Sequence, residues 1–154
     1  MLKFSKKVEY GMMALLEIAN HPSTDLVSAK YLAKQFHIPQ EIMGKVLQVL
    51  KRHDLLQSVQ GVNGGYLLSR PLDRIRLLEV IEALDGPVNL VSCSSGRFCD
   101  CEQLINCNIK TPMEIIQYEL SQFFYNITLH DIRKRYKDIV KLMETNAEDS
   151  TVKN

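Results

Sequence analysis

Apolar residues recur at helical spacing from the start of the chain, through Val8, Met12, Leu15, Leu16 and Ala19, and Ser5 stands where an N-cap belongs. The pattern predicts an amphipathic helix that ends near Asn20-His21-Pro22. After a Ser23-Thr24-Asp25 turn, Ser28 reads as the N-cap of a second helix, SAKYLAKQF, with Tyr31, Leu32 and Phe36 facing inward. A break at His37-Ile38 leads to Pro39, a residue favoured in a first helical turn, and to a third helix with Ile42, Val46 and Leu50 along its inner side. Its free face carries Gln40, Lys45, Gln48, Lys51 and Arg52. The period then changes. Residues 55–59 and 66–69 predict two strands around a glycine-rich turn, ended by Arg70-Pro71. Next, the run LLEVIEAL places Leu78, Ile81 and Leu84 on one side of a short helix stopped by Gly86-Pro87.

Further on, Thr111 as cap and Pro112 at the first position open a long helix. Along it Met113, Ile116, Leu120, Phe123 and Ile127 step by 3, 4, 3 and 4, the spacing of a coiled-coil seam. Such a seam needs a partner: either the body of the chain or, the arrangement favoured, a second copy in a homodimer. Thr128 with Asp131 resembles a cap for a last helix in which Leu129, Ile132, Tyr136 and Ile139 pack on the body.

Three helices followed by a hairpin make a winged helix. The predicted fold is mainly α with a small β-hairpin wing: a winged helix-turn-helix domain over 1–85, a cysteine-rich loop over 86–111, a dimerisation helix and C-terminal helix over 112–143, and a polar tail over 144–154. In a winged helix the third helix enters the major groove and the hairpin tip lies over phosphates or the minor groove. The candidate DNA-contact residues are therefore Ser28, Gln40, Glu41, Lys45, Gln48 and Lys51, with Gln60 and Asn63 at the wing. Gly61, Gly64 and Gly65 are read as letting the backbone approach nucleic acid closely.

Charge strengthens this reading. Residues 1–76 hold 11 Lys+Arg against 6 Asp+Glu, whereas residues 77–154 hold 8 against 12, so the predicted DNA-binding half is the basic one. An apolar fraction of 45% is that of an ordinary globular protein. The amino terminus carries Lys3, Lys6, Lys7 and Glu9 and offers no long apolar run, so a cytoplasmic protein without a membrane partner is expected.

The candidate chemistry lies in VSCSSGRFCDCEQLINCNIKT, which holds all four cysteines, Cys93, Cys99, Cys101 and Cys107. Thiolates are soft ligands that select zinc, copper(I) and iron-sulfur clusters. A disulfide framework would need an oxidising compartment, and cysteines that merely pack should scatter over core positions. The interval pattern C-x5-C-x-C-x5-C matches neither zinc knuckles nor ferredoxins. It predicts a metal loop, with iron-sulfur ahead of zinc. No Gly-rich phosphate loop follows a strand, no nucleophile is paired with a base, and the histidines His21, His37, His53 and His130 fall on separate elements. Neither an enzyme nor a small-molecule substrate is expected.

Several stretches together resemble the Rrf family of bacterial winged-helix regulators, which includes the IscR and NsrR types, over residues 1–137. They are the opening FSKKVEYGMMALLEIA, the hairpin SVQGVNGGYLLSRP with the helix LLEVIEALDGP, the cysteine loop, and CNIKTPMEII leading to TLHDI. The resemblance implies a dimeric transcription regulator whose DNA affinity is switched by an iron-sulfur cluster sensing redox, nitric oxide or iron status. In some members the switch is instead a cluster-free thiol or ligand. Family loops supply three cysteines; Cys93 and Cys107 match the outer two, and either Cys99 or Cys101 matches the middle one. Where IscR-like loops place a histidine, this chain has Lys110; where NsrR-like members draw a carboxylate from the partner subunit, it has Glu9. Likeness to the NsrR type favours a four-iron cluster over a two-iron one. Many relatives carry an arginine before the first wing glycine, and an acidic reader in the recognition helix; here these positions are Gln60 and Gly44, which implies a different target sequence. The rival readings are a regulator with a thiol-disulfide or zinc switch and, more remotely, an iron-sulfur carrier or redox protein without DNA binding.

Overall fold

The computed structural model describes residues 3–91, 101–103, 105–136 and 138. Helix α1 spans Lys6–Ile18, α2 Ala29–Gln35 and α3 Gln40–Arg52, followed by strands β1 Leu56–Val59 and β2 Gly65–Leu68. A short 3-10 turn over Leu72–Arg74 leads to α4, Leu77–Asp85, and after the cysteine loop α5 runs Lys110–Asn126. A last helix, α6, follows over residues 129–136. This is the winged helix-turn-helix with a long added helix that the sequence predicts.

Local chemistry places the helix starts. The Ser5 hydroxyl accepts the Val8 N–H, and the Ser28 hydroxyl accepts the Tyr31 N–H at 3.1 Å, so each satisfies an otherwise unpaired amide of a first turn. At α6 the cap is reciprocal. The Thr128 hydroxyl accepts the Asp131 N–H at 3.1 Å while the Asp131 carboxylate accepts the Thr128 N–H at 2.9 Å.

The helix ends use a device that composition hides. Both α2 and α3 stop in a Schellman turn, with His37 at φ 53° and Asp54 at φ 55° in the left-handed position that glycine ordinarily fills. The Ile38 N–H reaches the Ala33 carbonyl at 3.0 Å, and the Leu55 N–H reaches the Leu50 carbonyl at 3.0 Å. In each turn the residue after the left-handed one is buried, so an apolar contact locks the stop. That pair of turns fixes how α2 and α3 cross and where the hairpin departs.

The core is shared by α1, α2, α3, α4, the hairpin base and the start of α6. Leu15, Leu32, Met43, Leu47, Leu50 and Leu129 are among its fully buried side chains. On α3 the buried set is Met43, Val46, Leu47 and Leu50. Ile42, expected inward, is 43% exposed instead. The i, i+4 ridge of Ile42, Val46 and Leu50 lies to one side of the true inner face, whose centre the Met43-Leu47 pair defines. Tyr31 is also exposed rather than inward, because its hydroxyl donates to Glu17 Oε1 at 3.0 Å across the α1–α2 gap. Tyr136 is 68% exposed, a second departure, while Leu129 and Ile132 pack on the body as expected and Ile139 lies outside the described residues.

The hairpin is antiparallel with Leu56 opposite Leu68 and Val59 opposite Gly65, and Tyr66 also bridges to Val27. Gly64 and Gly65 serve the protein's own backbone here. A Cβ on Gly64 would lie 2.4 Å from the Val59 carbonyl oxygen, and one on Gly65 would lie 2.9 Å from the Val27 carbonyl. Arg70, expected only to end a strand, does more. Its guanidinium donates to the Asp54 carbonyl at 3.1 Å, the Arg74 carbonyl at 3.0 Å and Glu79 Oε1 at 2.7 Å, tying the α3 stop and hairpin exit to α4.

Helix α5 begins at Lys110, with Ile109 at the cap, rather than after a Thr111 cap. At its far end the chain pairs back on the body: the Leu77 N–H donates to the Ile127 carbonyl at 2.8 Å and the Leu129 N–H to the Ile75 carbonyl at 3.0 Å. Arg133 of α6 then donates to the Ala19 carbonyl at 3.1 Å, satisfying an acceptor at the end of α1.

Candidate nucleic-acid interface and cysteine loop

The exposed ridge of α3 is Glu41, Lys45, Gln48 and Arg52, one residue per turn along a single stripe, with Gln40 and Lys51 exposed beside it. Lys45 and Glu41 form an i, i+4 ion pair at 2.7 Å, and that contact holds the Glu41 carboxyl below its usual range. Lys51 and Arg52 stand in the last turn, where they complement the helix dipole and leave the basic end of the ridge beside the wing.

Between α3 and the wing lies a concavity of about 380 Å³ whose wall includes Ser28, Gln48, Lys51, Gln60 and Gly64. Ser28 also lines an adjoining hollow with Tyr31, Val62 and Asn63. The fold thus gathers Ser28, Gln48, Lys51 and Gln60 into one basic and polar cleft, with Asn63 next door. Gln40, Glu41 and Lys45 do not line it and lie further along α3. Val62 projects fully into solvent at the wing tip. Lys7 was missed: it shares a third cleft with Lys45 and Arg52. Its charge is plain in the sequence, but the packing of α1 beside α3 is not.

The cysteine loop is anchored on α5. The Gln117 side chain accepts the Leu90 N–H at 2.7 Å and donates its amide to the Val88 carbonyl, holding residues 88–90 as a strand partner would. The loop returns to the same helix at Lys110. Within it Cys101 and Cys107 are half-buried, and the Cys101 thiol lies 3.4 Å from Gln103 Oε1. Cys93 and Cys99 lie outside the described residues. Among the described residues no group of three or more His, Cys, Asp or Glu is gathered. Glu9 is half-buried on the first turn of α1 and paired there with Lys6. The donor chemistry suits a soft metal, since two thiols in partial shelter stand on a loop pinned at both ends.

The predicted seam of α5 divides. Leu120 and Ile127 pack on the body, and Met113 is half-buried. Ile116 and Phe123 point outward, 47% and 59% exposed. The true anchor of α5 is Phe124, which the seam spacing passed over; it is buried with its ring 5.8 Å from Phe4. Among the described residues no helix is long and apolar enough to cross a membrane.

Comparison with known proteins agrees with this architecture. The HTH-type transcriptional regulator IscR of Sodalis glossinidius (strain morsitans) is 28% identical over 131 residues, covering 85% of this chain and 78% of that protein. The solved structure of T. potens IscR superposes with a TM-score of 0.67 at 26% identity, covering 90% of each chain. CymR, the global cysteine regulator of B. subtilis, shares the fold with a TM-score of 0.68 at 24% identity, covering 88% of this chain and 98% of that one. These named relatives are regulators rather than enzymes. Residues 4–135 match the family described as Rrf2, iron-dependent transcriptional regulator, and with that span the chain belongs to the Rrf2 family of winged-helix transcription regulators.

Proposed function

We propose that this regulator binds an operator as a homodimer and that thiol chemistry on the 86–111 loop, most simply an iron-sulfur cluster, sets its DNA affinity. The observation that carries the reading is the Gln117 clamp, which joins α5 to residues 88–90 at the entry of the cysteine loop. In this reading the α3 ridge enters the major groove, and Ser28, Gln48, Lys51, Gln60 and Asn63 face backbone and groove edges at the wing. Ile116 and Phe123 of two copies meet across the dimer axis, with Met113 at their edge. Burying that apolar pair in each copy supplies the area that their exposure leaves unused.

Cys93 and Cys107, with Cys99 or Cys101 as the middle donor and Glu9 from a second subunit, would hold the cluster. Such a cluster supplies redox and ligand-exchange chemistry that alters how tightly the loop is gripped. The loop in turn orders the α5 pair and so the separation of the two recognition helices. Two half-sites about 34–36 Å apart are met together only at one such separation.

The test is anaerobic purification with iron and sulfide analysis, then gel shifts of the metal-loaded and metal-free protein on the same duplex. The expected outcome is visible absorption and a DNA affinity that differs between the two forms; equal affinities would overturn the switch. A second reading rests on the fourth cysteine, one more thiol than a three-cysteine loop needs. A colourless protein whose affinity follows thiol oxidation would support that reading instead.

A further inference from the structure

On the side of α3 away from the wing, a cleft of about 670 Å³ separates α3 from the first turn of α1 and the last turn of α4. Its rim is basic, formed by Lys7, Arg52 and Lys45, the last ion-paired with Glu41, whose carboxylate is not among the described residues that line the cleft. Into this cationic setting α3 projects an apolar side chain, Ile42, with Val49 two turns further along the helix. Ile42 is no core residue: its neighbours Met43 and Val46 are nearly completely buried, whereas Ile42 is half in water. It stands in the first turn of α3, in the N-terminal part that a helix-turn-helix presents to base edges.

The cations select a polyanion as the occupant of this face. Among the edges that base pairs display in the major groove, the distinctive apolar group is the C5-methyl of thymine. We propose that Ile42 is a specificity-determining residue that packs on a thymine methyl, while Lys7, Lys45 and Arg52 hold the neighbouring phosphates. The assignment rests on the DNA-binding reading of α3. It adds a sequence preference that the polar ridge does not supply.

The test begins with full-length, anaerobically purified protein selecting duplexes from a random-sequence library. Each enriched thymine is then replaced by deoxyuridine, which removes the methyl and nothing else. The expected result is one thymine position per half-site whose replacement weakens binding by about threefold to fivefold, the worth of one buried methyl-sized group. Ile42→Ala is expected to be indifferent to that replacement and to bind the methyl-free duplex as well as the unaltered protein does. Because the side chain is half-exposed and alanine favours helix, this variant keeps the fold, which its thermal melt checks. An equal deoxyuridine penalty in Ile42→Ala, or no sensitive thymine at all, overturns the assignment while leaving DNA binding intact. Failure of the unaltered protein to enrich any sequence overturns the DNA-binding reading as well, and is recognisable because it precedes every substitution.

Discussion

Gly44 sits mid-helix on the outer side of α3, and nothing stands within 4 Å of where its Cβ would be. A glycine in a helix interior costs about 0.5–1 kcal/mol relative to alanine. Gly44→Ala is therefore expected to raise stability by about that amount in urea denaturation, and to weaken operator binding if the bare backbone is needed for close approach to the duplex. Asp131 makes a different prediction. Its carboxylate accepts from the Thr128 hydroxyl and N–H, and those bonds hold its pKa below the usual carboxylate range. The cap's contribution is complete above the unfolded aspartate value of about 3.9 and disappears as pH falls through the lower folded value. Amide protection at the start of α6, relative to the free-chain exchange rate at each pH, should fall over that acidic window, and Asp131→Asn should remove the dependence. Cap chemistry of this kind was legible in the sequence because it is local: Ser5, Ser28 and the Thr128-Asp131 pair all sit where the residue types place them. Inward direction was less legible, as Ile42 and Tyr31 show. Helical period selects a face, but a neighbouring element such as Glu17 decides which flank of it is covered.

Among the elements, α3 and the hairpin were readable because their apolar periods differ, 3.6 against 2. The stops of α2 and α3 fall where the sequence places them, near His37 and His53, but their left-handed geometry was not legible, because His37 and Asp54 do the work for which glycine is the usual signal. Helix α5 was found by its seam, yet the seam alone cannot separate residues that serve the body from residues that await a partner. Phe124, Leu120 and Gln117 serve the body and the loop, leaving Ile116 and Phe123 outward. Phe123→Glu should therefore leave the melting temperature of the head nearly unchanged but convert the proposed dimer to monomer in sedimentation, with loss of operator binding. A dimer that survives this charge would move the interface off α5. The cysteine loop was the most conspicuous stretch of the sequence, but its attachment through a glutamine 24 residues after Cys93 had no signature, since an amide that pairs with backbone looks like any other polar helix residue.

For the whole molecule, the charge division along the chain becomes spatial. The basic half forms the face with Lys7, Lys45, Lys51 and Arg52, while the acidic half supplies the long helix and its surroundings. Each phosphate contact contributes nearly one to the slope of log affinity against log salt. Lys51→Ala should reduce that slope by about two if two heads engage the operator, and by about one if a single head does. Gel shifts across a salt series measure the difference and so report the stoichiometry of the complex independently of its size.

The long helix is tied to the rest of the chain twice, by Gln117 to residues 88–90 just after α4 and by the return of residues 127–129 onto residues 75–77. A rod riveted at two points cannot swivel against the plate that carries it. In the proposed pair the joint between the two rods is the one left to move, so a turn there carries both reading heads with it, and the duplex beneath is fitted or missed in a single motion.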